Sequence, residues 1–223
     1  MTTATASKNG KAQPPEASST VTIRRISKER LLIPIRGTAS LIVHNWSEKA
    51  RQQMLDATQG KKKIKEAKDP NADFESSLYR LPDGGYGIPA LSFKNAMVSA
   101  ARYFGKDLSM VQVRQAIFVA GIRSADKTPV QLTPIDGGEP LMREDMVRVG
   151  MGGTDLRYRG EFWPWTAVVD LTYVKSLLDQ GSVISLLEAA GFGVGVCEWR
   201  PERSGANGTF EIDPDRDIEV IAS

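Results

Sequence analysis

Five glycines fall between residues 191 and 208, close to the C-terminal end of the sequence. We call residues 191–208 the glycine-rich loop, because it separates a predicted helix, Ser182 to Ala190, from a predicted strand, Thr209 to Ile212. Glycine loses more backbone entropy on folding than any other residue. A cluster of this kind therefore indicates a backbone that needs positive φ angles, or one that another chain approaches closely.

Cations and an aromatic ring accompany these glycines, namely Trp199, Arg200 and Arg203. Arginines can meet the phosphates of a nucleic acid, and stacking of a base on an aromatic ring contributes about 1–3 kcal/mol in any sequence context. The loop therefore predicts a surface for a single-stranded nucleic acid. The alternative is that the glycines serve only the turn geometry of a surface loop, and the sequence leaves both interpretations open.

Charge is distributed unevenly along the 223 residues. Between residues 24 and 68 there are twelve lysines or arginines against four acids, whereas residues 211–219 hold five acids and one arginine. Such asymmetry favours an anionic partner, or contact between the acidic end of one subunit and the basic end of the next. Two solvated surfaces are the remaining interpretation.

A lysine run, Lys61, Lys62 and Lys63, lies inside the basic part of the sequence. We expect it to act as a loose electrostatic finger whose binding to a polyanion weakens steeply with salt. A run of charges that is merely solvated explains it equally well.

Apolar periodicity predicts an α+β fold with a ferredoxin-like (RRM-like) core, a basic helical insertion and an irregular β extension. We predict a disordered tail at residues 1–20 and a single domain at residues 21–223. The insertion in this domain covers about residues 47–80, and Asn45 and Glu48 form the signal for the start of its first helix. The first predicted strand runs from Leu31 to Val43 and is bent or bulged in its middle by Pro34 and Gly37. The other predicted strands are Gln115 to Ile122, Val130 to Ile135, Leu141 to Gly153, Trp165 to Val174, Thr209 to Ile212 and Ile218 to Ile221.

The clearest predicted helix runs from Ser92, as its N-cap, to Phe104, with Gly105 ending it. Lys94 and Arg102 lie off its apolar stripe and two helical turns apart, so both could follow one phosphate path. The stripe consists of Phe93, Ala96, Met97, Ala100, Ala101 and Phe104.

Three separated segments resemble the RAMP superfamily, the RNA-binding proteins of CRISPR effector complexes, and especially its backbone subunits. Ile35 to Leu41 resembles the opening strand, Ile88 to Ala96 the proline-serine-lysine entry to the first helix, and Gly191 to Phe210 the C-terminal glycine-rich loop. Asn95 departs from the usual glycine, and the loop is longer than usual. These departures favour a divergent member, such as one encoded by a phage or plasmid.

The resemblance implies a ferredoxin-like core that coats a single strand as a helical filament. The nucleic-acid-binding residues predicted from the charge pattern and the resemblance together are Arg36, Lys61, Lys62, Lys63, Lys94, Arg102, Trp199, Arg200 and Arg203. The predicted partners are single-stranded RNA or DNA and further copies of the chain, with no membrane, cofactor or metal. We expect a cytoplasmic location, which is the host cytoplasm if a phage encodes the protein.

Catalysis has little support in the sequence. The single cysteine, Cys197, excludes an intramolecular disulfide, and no phosphate-binding P-loop or serine nucleophile elbow is present. We therefore predict a non-catalytic protein. Two alternatives remain: a virion or assembly component whose arginines and tryptophans (Trp163, Trp165) serve subunit contacts, and a nuclease that uses the sole histidine, His44.

Overall fold

The computed structural model describes residues 25–45, 48–60, 68–126, 129–149 and 153–221. The tail predicted at residues 1–20 and the lysines Lys61, Lys62 and Lys63 lie outside these ranges. Within them the chain is a mixed α and β structure with antiparallel sheets and five α-helices. The predicted α+β class is therefore confirmed.

Four of the five described α-helices lie within the first 116 residues, and six of the described strands separate the fourth helix from the fifth. The helices are α1 (Glu48–Thr58), α2 (Pro70–Ser77), α3 (Ala90–Ala100), α4 (Met110–Ala116) and α5 (Gln180–Gly193), with 3-10 turns at Ala101–Phe104 and Pro201–Arg203. The strands are β1 (Lys28–Gly37), β2 (Leu41–Val43), β3 (Gly87–Pro89), β4 (Ile117–Val119), β5 (Ile122–Arg123), β6 (Gln131–Asp136), β7 (Leu141–Val149), β8 (Gly153–Phe162), β9 (Thr166–Val174), β10 (Phe210–Ile212) and β11 (Glu219–Ile221).

The larger sheet has the strand order β10-β1-β9-β6-β3, with β11 also beside β1, β4 also beside β9, and β5 beside β6. Alternate residues of β1 and β9 point to one face, where α3 and α5 cover them and form the hydrophobic core. The core residues of these two strands are Leu31, Ile33, Ile35, Ala167, Val169, Leu171 and Tyr173.

A second, three-stranded sheet has the order β2-β8-β7, and β7 and β8 form a long antiparallel hairpin. Helix α2 packs against β8, where Gly160 leaves room for the side chain of Leu78. The hydroxyl of Ser77 accepts a hydrogen bond of 3.0 Å from the Gly160 N–H. This helix, part of the predicted basic insertion, thus contributes to the folded body.

The segment from Leu31 to Val43, predicted as one strand with a bend or bulge in its middle, forms two strands instead. The chain leaves the larger sheet after Gly37 and enters the second sheet at Leu41. The reason is the indole of Trp165, which lies directly on Gly37, while the Gly37 N–H donates to the Trp165 carbonyl at 2.9 Å. A side chain at position 37 would overlap that indole.

One helix prediction and one strand prediction need correction. Helix α3 begins at Ala90 with Pro89 at its N-cap, so Ser92 is not the cap, and Phe104 at the end of the predicted stripe is 36% exposed. The strand predicted from Gln115 begins only at Ile117. The preceding residues belong to α4, because Ser109 and Gln112 cap each other reciprocally and hold this short helix.

Other predicted elements agree with the structure. Strand β9 buries alternate residues as expected, and α5 turns Val183, Leu186, Leu187 and Ala190 to the core. The two tryptophans of this region differ in solvent exposure, because Trp165 is buried and Trp163 is 54% exposed.

Candidate nucleic-acid interface

Three distant parts of the sequence meet at one place in the fold. The Gly208 N–H donates to the Ser40 carbonyl at 2.8 Å, and the Glu198 N–H donates to the Ile42 carbonyl at 3.0 Å. The Ser99 hydroxyl on α3 donates to the Glu202 carboxylate at 2.7 Å. The segment after β1, the helix α3 and the glycine-rich loop therefore form one surface.

The glycine-rich loop is closed on its own backbone. The Val196 N–H donates to the Gly208 carbonyl at 2.9 Å, and the Asn207 N–H donates to the Trp199 carbonyl at 2.9 Å. A Cβ on Gly205 would overlap the Trp199 carbonyl, and one on Gly208 would overlap that of Val196. The chain that approaches these two glycines closely is thus the loop itself.

Three residues of this loop that are not glycine have left-handed backbone angles. The φ values are 62° at Cys197, 53° at Trp199 and 60° at Ser204. Each such residue costs on the order of 1–3 kcal/mol, and such strain clusters at functional sites. The surrounding hydrogen bonds hold Trp199 in this conformation with 42% of its surface exposed.

A cleft of about 240 Å³ lies between α3 and the glycine-rich loop. Helix α3 contributes one wall, the loop contributes the opposite wall, and the end of β2 contributes His44. The lining residues are His44, Tyr79, Pro89, Ser92, Asn95, Ala96, Gly195, Val196, Cys197, Glu198, Arg200 and Glu202.

Burial sets the protonation of three groups in this cleft. It lowers the pKa of His44, with a further contribution from the nearby positive charge of Arg159. It raises the pKa of Tyr79, whose hydroxyl donates to the His44 carbonyl at 3.3 Å, and it raises the pKa of the Cys197 thiol to about 12. At neutral pH the cleft therefore presents a neutral imidazole, a phenol and a thiol.

Two of the predicted binding arginines are neutralised within the protein. The Arg200 guanidinium pairs with Glu202 at 2.9 Å and donates to the Cys197 carbonyl at 2.9 Å. Arg36 pairs with Glu211 at 2.6 Å, on the face of the larger sheet that points away from α3 and α5. The sequence did not reveal these partners, which lie 2 and 175 residues away from the arginines they neutralise.

The remaining predicted residues in the described ranges differ in position. Arg102 lies in the 3-10 turn that follows α3, three residues after Ser99, and Arg203 follows Glu202 directly. No described residue forms a hydrogen bond or ion pair with either guanidinium. Lys94 lies about 200° around the helix axis from Ser92 and thus away from the cleft.

Arg159 belongs to the stretch Arg157-Tyr158-Arg159, in which cations alternate with an aromatic ring, a pattern that suits a subunit contact. It is 2% exposed, its Nη1 donates to Asp145 at 3.3 Å, and its Nη2 lies 3.8 Å from the Glu198 carboxylate. Its Nε has no hydrogen-bond partner, and burial lowers its pKa. The alternating Arg157-Tyr158-Arg159 pattern shows only that both arginines share one strand face, and nothing in it marks one as buried.

Acidic residues in the described ranges have structural roles where they cluster in sequence. Asp69 caps α2 by accepting from the Ala72 N–H at 3.1 Å, and Glu75 pairs with Arg80. Across the described part of the chain, no group of three or more histidine, cysteine or acidic side chains is arranged to hold a metal ion.

Among the described helices, none has both the length and the apolar character needed to cross a bilayer.

Comparisons with known proteins give little. No protein-family model matches the sequence, and no curated protein matches it. Among solved structures, the chain is similar to the crystal structure of Cmr6 from Pyrococcus furiosus, with 10% identity and a TM-score of 0.43 over 85% of this chain and 100% of that one. At this identity and TM-score the likeness carries no argument about function.

Proposed function

We propose that this protein is a divergent RAMP-like protein that binds single-stranded nucleic acid without cleaving it, in repeated copies along the strand. One observation carries the proposal. The three segments that resemble the superfamily are far apart in sequence, yet the second and third line one cleft, and the first is joined to the third by the hydrogen bond from the Gly208 N–H to the Ser40 carbonyl.

We further propose that the core is ferredoxin-like. Strands β10, β1, β9 and β4 lie side by side in that order and are antiparallel. Helix α3 lies between β1 and β4 in the chain, and α5 between β9 and β10. A β-α-β-β-α-β unit of this kind defines the ferredoxin-like arrangement.

The binding surface that we propose includes Arg102, Arg203 and Trp199. Arg102 follows Ser99 by three residues and Arg203 follows Glu202 directly, and neither guanidinium forms a hydrogen bond or close ion pair with a described residue, although the charge of Arg203 contributes to the lowered pKa of Glu202. Trp199 supplies an exposed ring on the same loop. Free cations beside an exposed ring suit a strand whose phosphates and bases are both accessible.

The absence of catalysis in this proposal is supported by the chemistry of the cleft. Its cysteine and tyrosine remain protonated at neutral pH, so neither is a ready nucleophile. His44 is the sole histidine in the sequence, so a pair of histidines cannot provide acid–base catalysis. Incubation of the protein with labelled RNA and DNA tests this part, and cleavage that is lost in His44→Ala would contradict it.

Fluorescence anisotropy with labelled mixed-sequence oligonucleotides at several salt concentrations tests binding. We expect Arg102→Ala and Arg203→Ala each to weaken binding to all sequences and to reduce the salt slope by about 1. Arg30→Ala is the matched control, because Arg30 pairs with Asp170 on the other face of the larger sheet. Wild-type protein that binds neither polymer at low salt would contradict the proposal.

An assembly protein is the second candidate, and exposed apolar side chains favour it. Phe192 at the end of α5 is 86% exposed, beside Tyr103, which lies on Gly193. Large aromatic side chains on a surface are typical anchors of subunit contacts. Light scattering after size-exclusion chromatography should then show oligomers that Phe192→Ser dissociates and that added oligonucleotides leave unchanged.

A further inference from the structure

We propose that the cleft between α3 and the glycine-rich loop binds one unstacked nucleobase through its hydrogen-bonding edge, and that it selects bases with an exocyclic amino group. This inference depends on the proposed binding of single strands. It adds base selectivity at one position to a surface whose cations otherwise recognise any sequence.

The cleft offers hydrogen-bonding groups that the described part of the protein leaves unused. The side chains of His44, Ser92 and Asn95 line it, and none forms a hydrogen bond with a described residue. Ser92 and Asn95 are three residues apart on α3 and therefore share one face of the helix. Donors and acceptors are thus both presented to a ligand.

The charges of the cleft disfavour a phosphate as its occupant. Glu198 and Glu202 both line it, and the one arginine there, Arg200, is already paired with Glu202. The ion pair between Glu198 and Arg159 is long, at 3.8 Å, so this carboxylate keeps acceptor capacity. A neutral ligand that carries N–H donors suits these groups better than an anion.

Size points to a single flat ring system. At about 240 Å³ the cleft is smaller than the roughly 300–1,000 Å³ of sites for drug-sized ligands. Both walls are fixed, one by helix α3 and the other by the hydrogen-bonded loop. Sequence-specific recognition of single strands commonly takes this form, with an unstacked base held by its edges.

The residue types at the cleft favour amino-bearing bases. The amide of Asn95 can donate and accept at once, which is the pattern that pairs with adenine, and a carboxylate such as Glu198 accepts from the amino group of cytosine. Uracil and thymine have no amino group, and their one N–H donor on this edge, at N3, lies between two carbonyl oxygens that the Glu198 carboxylate would repel. We therefore expect adenine and cytosine to bind in preference to uracil.

Affinities for oligo-A, oligo-C and oligo-U of twelve nucleotides, measured by anisotropy at fixed salt, test the selectivity. We expect oligo-A and oligo-C to bind about 5- to 100-fold more tightly than oligo-U, the range of one good base contact. Asn95→Ala and Glu198→Gln should each reduce this ratio severalfold. Glu188→Gln, an exposed change on α5, is the matched control.

A second measurement separates failure of this inference from failure of strand binding. The single histidine gives one imidazole signal in NMR spectra, and it reports directly on the cleft. Adenosine or cytidine should shift the His44 signal at concentrations where uridine does not. The inference is overturned if the affinity for oligo-A and oligo-C relative to oligo-U is unchanged in both variants. It is also overturned if no nucleoside shifts the His44 signal, even when strands bind.

Discussion

Gly208 meets two separate demands, a left-handed backbone and close contact with another carbonyl. Its φ is +68°, and a Cβ there would overlap the Val196 carbonyl oxygen. We expect Gly208→Ala to lower the free energy of unfolding by about 2–4 kcal/mol, because backbone strain and overpacking add. Urea denaturation followed by fluorescence measures this change.

Gly138→Ala is the matched control for that prediction. Gly138 has a φ of +84°, yet nothing lies within 4 Å of the position of its Cβ. We expect a loss of only about 1 kcal/mol, from the backbone angle alone. Equal losses in the two variants would show that the contact between Gly208 and Val196 has no energetic consequence.

His44 makes stability depend on pH in a window that no other side chain normally occupies. Burial lowers its pKa below the ordinary 6.5, so the unfolded chain binds the proton more readily than the folded protein does. Stability should therefore be complete above pH 6.5 and decrease as the pH falls below that value. Urea midpoints between pH 7.5 and about 5.5 should show this decrease in the wild type and a flatter profile in His44→Gln.

At the scale of elements, the hairpin of β7 and β8 contains a buried charge that depends on one carboxylate. Asp145 accepts from Arg143 at 2.9 Å and from the buried Arg159 at 3.3 Å. Removal of one partner of a buried ion pair typically costs about 3–5 kcal/mol. We expect Asp145→Ala to destabilise the protein by that amount in thermal or urea unfolding.

Glu144→Ala is the matched control, since Glu144 is the neighbouring residue of β7 and lies on the opposite, exposed face, where its carboxylate is hydrogen-bonded to Tyr158. We expect a change of about 1 kcal/mol or less there, the net contribution of one exposed hydrogen bond. A comparable loss in both variants would mean that the strand itself, and not the buried charge, determines the effect.

Elements with a strong local pattern were predictable from the sequence, and those fixed by distant contacts were not. Strand β9 and helix α5 follow the periods of a half-buried strand and an amphipathic helix. Pro34 and Gly37 indicate a bend in the segment from Leu31 to Val43, but the transfer of the chain to a second sheet after Gly37 depends on Trp165, which is 128 positions further along the chain. Helix α4 was missed although Ser109 and Gln112 form a recognisable capping box.

The candidate site likewise has some features that the sequence predicts and others that only distant contacts determine. Sequence reasoning placed Trp199, Arg200 and Arg203 on one glycine-rich loop, and the structure has them there. It could not reveal that Glu202 neutralises Arg200, or that Asn95 faces Glu198 across a cleft. Ion pairing and cleft formation depend on side-chain positions that the order of residues does not determine locally.

At the scale of the whole molecule, the convergence of three segments predicts a coordinated response to ligand. Single-stranded oligonucleotide should slow hydrogen exchange in residues 40–45, 92–102 and 195–208 together, because these segments border one cleft. Residues 141–148 at the far strand of the hairpin should exchange at an unchanged rate. Mass spectrometry of deuterated peptides measures this, and protection of one segment alone would contradict a shared surface.

Only residues 38–40 separate the larger sheet from the smaller one at the end of β1. Those residues are held on both sides, because the Thr38 N–H donates to Thr209, the Trp165 indole donates to Ala39, and the Gly208 N–H donates to Ser40. These hydrogen bonds consequently restrict motion of one sheet relative to the other. A displacement of the hairpin would be transmitted to the glycine-rich loop through the backbone of residues 38–40.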